Sequence, residues 1–188
     1  SYNFVHKVLR DMLLVGGFNN VELWVHDIRE EPMKHVADLL EKIARQQKSN
    51  IAVKRTLDRA EALKGADAVI LSITTGGAEA DFRTMEVCFK YGIRVGVGDT
   101  LGPTALARNL RTIPVVLELI QDMVKYCPEA VMLNFTNPMS VLTGAMGRES
   151  HIPCWGLCHS ADELFRYFSK RSEEHTSALQ SPNTLSYA

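Results

Sequence analysis

Residues 68–77 read Ala-Val-Ile-Leu-Ser-Ile-Thr-Thr-Gly-Gly, and this stretch decides the fold. Its first six residues are almost continuously apolar, which is typical of a strand buried on both faces of a parallel sheet. The two glycines that follow would let a ligand approach the backbone closely, although glycines at a strand end more often form only a turn. We therefore expect a central parallel strand with a candidate binding edge where it ends.

Helices and strands alternate on both sides of this stretch. Apolar residues at helical spacing predict helices at residues 4–13, 32–48, 60–63, 81–91, 105–126, 139–149 and 161–169, the fifth kinked at Pro114. Short apolar runs predict strands at residues 21–25, 51–57, 94–97, 130–135 and 154–157. Such alternation indicates an α/β fold with a Rossmann-like, doubly wound parallel sheet. Because a helix opens the chain, we expect this sheet to lack its first strand.

The sequence patterns at the two ends of the chain predict its domain organisation. Residues 1–170 are expected to form one α/β domain, truncated at its N-terminus. Residues 171–188 show neither apolar periodicity nor a core face, and they closely resemble the in-frame translation of a sequencing-library adapter. A polar surface tail is the alternative. In either case these residues are excluded from the fold.

Composition and charge exclude several classes of partner. The 188 residues carry a formal net charge of -1 and are 46% hydrophobic, whereas nucleic acid and anionic membranes attract a basic excess. No apolar run reaches the roughly 18 residues of a membrane span, and no signal peptide opens the chain. The four cysteines suggest no disulfide framework. We expect a cytoplasmic protein with reduced thiols and with neither nucleic acid nor membrane as partner.

Asp27 follows the strand expected at residues 21–25, at the edge where parallel sheets bind ligands. A dinucleotide site places an acidic residue there to hold the adenosine ribose hydroxyls, about 20 residues after a glycine fingerprint that is missing here. A turn or helix-cap aspartate is the alternative. Thr74 and Gly76, at the end of the next central strand, are further candidate contacts for a nucleotide.

Three later segments, residues 98–103, 133–139 and 156–160, each follow an expected strand. They bring a carboxylate, two carboxamides, a thiol and an imidazole to the same edge, namely Asp99, Asn134, Asn137, Cys158 and His159. Convergence of polar groups on one edge of a sheet is typical of an active site.

In order and spacing these motifs resemble glycoside hydrolase family 4 over residues 1 to about 170. Further matching stretches are residues 81–82, 86–88, 110–114 and 127–130, whereas Thr104-Ala105 stand where the family usually has two glycines. The resemblance implies an N-terminal NAD-binding domain and a divalent metal, usually Mn²⁺. It places Ser1 just after the family's glycine fingerprint. The residues that it implies as cofactor contacts are Ser1, Asp27, Thr74, Gly76 and Asn134.

The resemblance also implies a reaction. In the family's mechanism NAD⁺ takes hydride from C3 of the sugar, the metal polarises the ketone, C2 loses its proton, and the glycosidic oxygen leaves C1 by elimination. Water then adds and the hydride returns. Cys158 would ligate the metal, with a buried inert cysteine as the alternative. His159 would assist departure of the leaving group or orient the sugar, which Asp99 and Asn137 would contact.

Structural roles stay open for three of these residues. His159 could be a structural histidine, Asp99 could brace its own loop, and Asn134 could cap the following helix or hold the loop. These alternatives need no ligand.

The motif Cys158-His159-Ser160 resembles the family's α-galactosidases, whereas an acidic or amide residue after the cysteine marks its 6-phospho-glycosidases. Residues 161–164 depart from the galactosidase pattern. The family's histidine ligand and proton-abstracting base lie beyond this chain. We therefore expect the catalytic C-terminal domain to be absent and the 188-residue chain to be inactive.

The full-length protein would act on a small α-glycoside as a homo-oligomer, a dimer or a tetramer. Two alternatives remain: an NAD-dependent 2-hydroxy-acid dehydrogenase of the lactate/malate type, and a non-catalytic nucleotide-binding module.

Overall fold

The computed structural model describes residues 2–15, 20–96, 98, 100–158, 164, 167 and 168. The chain divides into two compact units, residues 1–66 and 67–188. Three predicted site residues, Ser1, Asp99 and His159, lie outside the described residues, as do residues 171–188 and most of the helix expected at 161–169. The prediction of one domain over residues 1–170 stays a prediction.

The first unit contains a two-stranded parallel sheet. Its elements are α1 (Tyr2–Val15), β1 (Glu22–His26), α2 (Glu30–Gln46), β2 (Ala52–Thr56) and α3 (Arg59–Leu63). Two parallel strands need a crossover between them, and α2 supplies it. Leu9, Leu40 and Ile51 form the buried centre, with partly buried apolar side chains of both strands packed against it.

The sequence of α2 explains both its ends and its packing. Acidic Glu30 and Glu31 lie in the first turn and basic Arg45 in the last, which suits the helix dipole. Its buried residues recur every three or four positions and so form one apolar stripe: Met33, Ala37, Leu40 and Ala44.

The second unit contains a three-stranded parallel sheet in the order β3-β4-β5. Its elements are β3 (Ala68–Leu71), α4 (Gly77–Lys90), α5 (Pro103–Tyr126), β4 (Val131–Asn134), α6 (Met139–Glu149) and β5 (Cys154–Gly156). Large apolar side chains of α5, β4 and α6 are fully buried in its core: Ile120, Met123, Met132, Leu142 and Met146.

The register of this sheet aligns the ends of its strands. Leu71 lies opposite Asn134, and Asn134 lies opposite Gly156. A side chain at Gly156 would overlap the side chains of Met139 and Thr143, so glycine allows the first turns of α6 to pack directly on the end of β5.

The predicted α/β class with parallel strands is confirmed, and α6 spans the predicted residues. The strand predicted at residues 94–97 is wrong over its described part, since residues 94–96 form no strand. Alternating apolar residues need a neighbouring strand to pair with, and no described strand pairs with these. α5 continues through Pro114 as one helix. Among the described helices, none has the length and apolar content of a bilayer span.

Candidate functional site

The carboxyl ends of β3, β4 and β5 lie side by side, because the three strands are parallel and in register. Thr74 and Gly76 follow β3, Asn137 follows β4, and Cys158 follows β5. We call the three loops that contain these residues, 72–76, 135–138 and 157–158, the carboxyl edge. The structure thus brings four predicted site residues to the edge at which open parallel sheets bind ligands.

Glycines shape the loop between β3 and α4. Gly76 caps the helix with φ 77° and Gly77 follows with φ 63°, both in the left-handed region that other residues rarely adopt. Thr74 and Gly76 are exposed. Because the first N–H groups of a helix have no intrahelical partner and carry partial positive charge, this exposed turn can receive an electronegative group.

The loop after β4 is joined to the loop after β3. The backbone N–H of Ile73 donates to Thr136 Oγ1 at 2.9 Å, and the backbone N–H of Thr136 donates to Asn134 Oδ1 at 2.8 Å. Thr136 is buried. Thr136 was not predicted as a site residue, because its role depends on the two strands being neighbours.

Asn134 is fully buried at the end of β4. Its Nδ2 donates to Thr143 Oγ1 at 3.0 Å and to the carbonyl oxygen of Met139 at 3.3 Å. These contacts, with the bond from the Thr136 N–H, are those of a loop brace, which the sequence left open as the alternative. Asn134 has no exposed surface, and its predicted contact with the cofactor stays a prediction.

Asn137 is exposed at the start of α6. Its Oδ1 accepts a hydrogen bond from the backbone N–H of Met139 at 3.3 Å, and its peptide bond to Pro138 is cis. The side-chain amide N–H groups of Asn137 make no hydrogen bond within the described part of the chain, so they can donate to a ligand. This arrangement fits the predicted sugar contact, which stays a prediction.

The cysteines of the second unit differ in their surroundings. Cys158 is half-buried just beyond β5, where the N–H of Leu157 donates to the carbonyl oxygen of Asn134 at 2.9 Å and fixes the chain. Burial raises the pKa of Cys154 to about 11 and raises that of Cys127. Neither thiol is therefore ionised near neutral pH. Among the residues described, no group of three His, Cys, Asp or Glu side chains could hold a metal ion.

Asp27 lies at the carboxyl end of β1, in the first unit. Its Oδ1 accepts a hydrogen bond from the backbone N–H of Arg29 at 2.9 Å, just before α2 begins. This is the turn aspartate that the sequence left open as the alternative. The side chain is half-exposed, and the predicted contact with the adenosine ribose stays a prediction.

A polar network between α4 and α5 was likewise not predicted from the sequence. Asp81 pairs with Arg108 and Arg111, and Thr112 pairs with Thr75 of the loop after β3. The sequence feature that could have indicated this network is the pair Arg108 and Arg111, three residues apart in a mostly apolar helix. Such spacing places both on one face, and a buried face with two cations needs an acidic partner.

Comparison with known proteins gives the family. The family model described as "Family 4 glycosyl hydrolase" matches residues 1–167. An α-galactosidase of Bacillus subtilis (strain 168) is 38% identical over 158 residues, which are 84% of this chain and 37% of that protein. An α-galacturonidase of Thermoanaerobacter italicus is 33% identical over 175 residues, 93% of this chain and 38% of that protein.

A solved structure of a 6-phospho-α-glucosidase from gut microorganisms, in complex with NAD and Mn²⁺, matches with a TM-score of 0.81 at 21% identity. The match covers 92% of this chain and 40% of that one. At this identity the likeness shows the fold alone. The chain spans less than two fifths of the length of the two curated relatives. The family match covers most of the chain and favours the glycosidase over the dehydrogenase of lactate/malate type. The chain belongs to glycosyl hydrolase family 4.

Proposed function

We propose that this chain supplies the NAD-binding part of a glycosidase that cleaves α-galactosides. The observation that carries the proposal is the carboxyl edge, where Thr74, Gly76, Asn137 and Cys158 follow neighbouring strands. The substrate class is supported by the 38% identical α-galactosidase and by the Cys158-His159-Ser160 motif. Because the chain spans 37% of that relative, the activity is proposed for the whole protein.

The loop after β3 suits a dinucleotide. Gly76 and Gly77 present backbone without side chains at the exposed N-terminus of α4, and the Thr74 hydroxyl lies beside them in sequence. Bound NAD⁺ would accept a hydride from the sugar and later return it. Asp27 would hold the adenosine ribose, and Ser1 would be a further contact of the cofactor.

Cys158 would be one ligand of a divalent metal, proposed to be Mn²⁺. A thiolate suits a borderline metal and loses its proton on binding. No further protein ligand of this metal is proposed among the described residues. Because the chain spans 37% of the α-galactosidase that it matches, we propose hydrolysis for the whole protein and not for the 188-residue chain alone.

The remaining side chains of the edge would handle the sugar. The exposed amide of Asn137 would donate a hydrogen bond to a sugar hydroxyl, and Asp99 would accept one. His159 would assist departure of the leaving group or orient the sugar. Asn134 would act through Thr136 and the first turns of α6, since its hydrogen bonds hold the loop that carries Asn137.

The test is a chimera in which residues 1–167 replace the matching segment of the Bacillus subtilis α-galactosidase. We expect hydrolysis of nitrophenyl α-galactoside that requires both NAD⁺ and Mn²⁺. Cys158→Ser should lower kcat/KM by at least about 100-fold if the thiolate binds the metal, whereas the matched control Cys154→Ser should stay near the parent. Turnover without NAD⁺, equal effects of the two substitutions, or NAD binding with no turnover of any α-glycoside would contradict the proposal. Preference for an α-galacturonide or a 6-phospho-glucoside would overturn the substrate class alone.

A further inference from the structure

Three charged side chains of α4 and α5 form a network beside the loop after β3. Arg108 Nη2 donates to Asp81 Oδ2 at 2.6 Å, and Arg111 Nη2 donates to Asp81 Oδ1 at 2.9 Å. The exposed fraction of the side chain is only 14% for Arg108, 23% for Asp81 and 28% for Arg111. Ion pairs this withdrawn from water are screened less than surface pairs, and loss of one partner leaves the others poorly solvated.

The Arg111 side chain lies beside the loop. A Cβ atom added to Gly76 would lie 3.3 Å from Arg111 Nε and 3.5 Å from Arg111 Cδ, so this side chain occupies the space next to the Gly76 backbone. Arg111 Nε is buried and has no hydrogen-bond partner among the described residues. The guanidinium is instead held through its two Nη atoms, by Asp81 and by Thr84 Oγ1 at 3.3 Å. The hydrogen bonds with Asp81 and Thr84 thus fix the position of the Arg111 guanidinium beside the loop.

The next residue of α5 contacts the next residue of the loop. The hydroxyl oxygens of Thr112 and Thr75 are 2.5 Å apart, and Thr112 Oγ1 also donates to the carbonyl oxygen of Arg108 at 2.9 Å. Two consecutive residues of α5 therefore hold two consecutive residues of the loop. The conformation of the loop depends on how α5 presents Arg111 and Thr112.

We propose that Asp81 is a positioning residue for residues 74–77: it fixes Arg111 beneath Gly76 and so holds this loop in the conformation that receives NAD. The identity of the ligand rests on the proposed function, whereas the dependence of the loop on Asp81 can be measured without a ligand. Asp81 would act through its hydrogen bond with Arg111 and not as a contact of the cofactor.

The physical reason is the removal of a shared counter-charge. Without the carboxylate, the Arg111 guanidinium would lose its charged partner in a partly buried space. Arg111 would then turn towards water, and the Gly76 backbone would lose the side chain that lies beside it. Because glycine has many alternative backbone conformations, the loop would then populate several of them, and binding would have to select one.

The experiment compares three variants of the 188-residue chain. Asp81→Asn removes the charge at constant size, and Asp81→Glu restores it. The matched control Glu79→Gln removes a carboxylate of the same helix whose partner Arg83 lies at 2.6 Å, with both side chains 76% exposed. Hydrogen exchange of the amides of residues 74–80 is measured first, and the Kd for NAD⁺ second.

We expect Asp81→Asn to speed exchange of these amides and to weaken NAD⁺ binding, each about tenfold, because charged hydrogen bonds are lost. Asp81→Glu should recover part of both effects, and Glu79→Gln should stay within about twofold of the parent. Equal loop exchange in Asp81→Asn and Glu79→Gln would overturn the proposal. So would faster exchange throughout the unit, β4 and α6 included, since Asp81 would then support general stability. If the parent chain does not bind NAD⁺ but Asp81→Asn still loosens the loop alone, the proposed cofactor fails and the positioning role of Asp81 stands.

Discussion

Asn134→Asp should destabilise the second unit strongly, because the side chain is fully buried. Aspartate keeps the acceptor for the Thr136 N–H but loses the two hydrogen bonds that Nδ2 donates to Thr143 Oγ1 and to the Met139 carbonyl oxygen. Two lost hydrogen bonds cost about 2 kcal/mol, and a carboxylate that faces acceptors in a buried site costs about 1–3 kcal/mol more. We expect the free energy of unfolding to fall by about 3–5 kcal/mol at neutral pH, a large part of the stability of an ordinary domain.

The matched control is Asn137→Asp, the same substitution three residues away. Asn137 is exposed and uses Oδ1 to accept the Met139 N–H, a role that aspartate keeps at the N-terminus of α6. Its effect should stay within about 0.5 kcal/mol. Urea unfolding is followed by the fluorescence of Trp155 in β5, in a Trp24→Phe background.

The pH dependence gives a second readout. Burial would raise the folded-state pKa of the new carboxyl at position 134 above its unfolded value, so folding favours its protonated form. The destabilisation should therefore be full at neutral pH and should shrink as the pH falls through that raised pKa. Equal losses for Asn134→Asp and Asn137→Asp, or a loss that does not change with pH, would refute the buried brace.

Three further substitutions or modifications test other parts of the structure. Gly76→Ala should lower the free energy of unfolding, measured in urea, by about 1–3 kcal/mol more than Gly65→Ala. Both glycines have positive φ, but only at Gly76 would the new Cβ lie 2.6 Å from the Cβ of Ala80. Equal losses of stability would contradict this close approach. Cys154 has a pKa of about 11, so its rate of alkylation should rise about tenfold for each pH unit between about 8 and 10. The rate is measured by mass spectrometry, and a rate independent of pH would contradict the burial of this thiol. Burial lowers the pKa of His26 below 6.5 in the folded state. The free energy of unfolding should therefore be retained above about pH 6.5 and should decrease as the pH falls below it. His26→Gln should reduce this decrease, and an unchanged pH profile of urea unfolding would show that His26 is not its cause.

Elements with a strong local pattern could be predicted from the sequence. The helix at residues 139–149 has the predicted bounds, and the apolar run that begins at Ala68 forms the expected parallel strand. These patterns suffice because a buried strand and an apolar helical stripe are visible within a few residues. The positions of Thr74, Asn137 and Cys158 at one edge followed from the parallel arrangement alone.

Features that depend on distant partners could not be predicted in the same way. The alternation at residues 94–97 resembles a strand, but no described strand pairs with residues 94–96. The hydrogen bonds by which Asn134 braces its loop involve Thr136 and Thr143, which approach it only in the folded chain. The pairing of Asp81 with two arginines, 27 and 30 residues later, likewise depends on how α4 and α5 pack.

The carboxyl edge is tested most directly by the amide chemical shifts of the ¹⁵N-labelled chain during titration with NAD⁺. If this edge is the cofactor site, the largest saturable changes will fall on residues 74–78 and 135–137. Changes concentrated at the opposite ends of the strands, near Ala68, Val131 and Pro153, would contradict the assignment, and so would the absence of any saturable change.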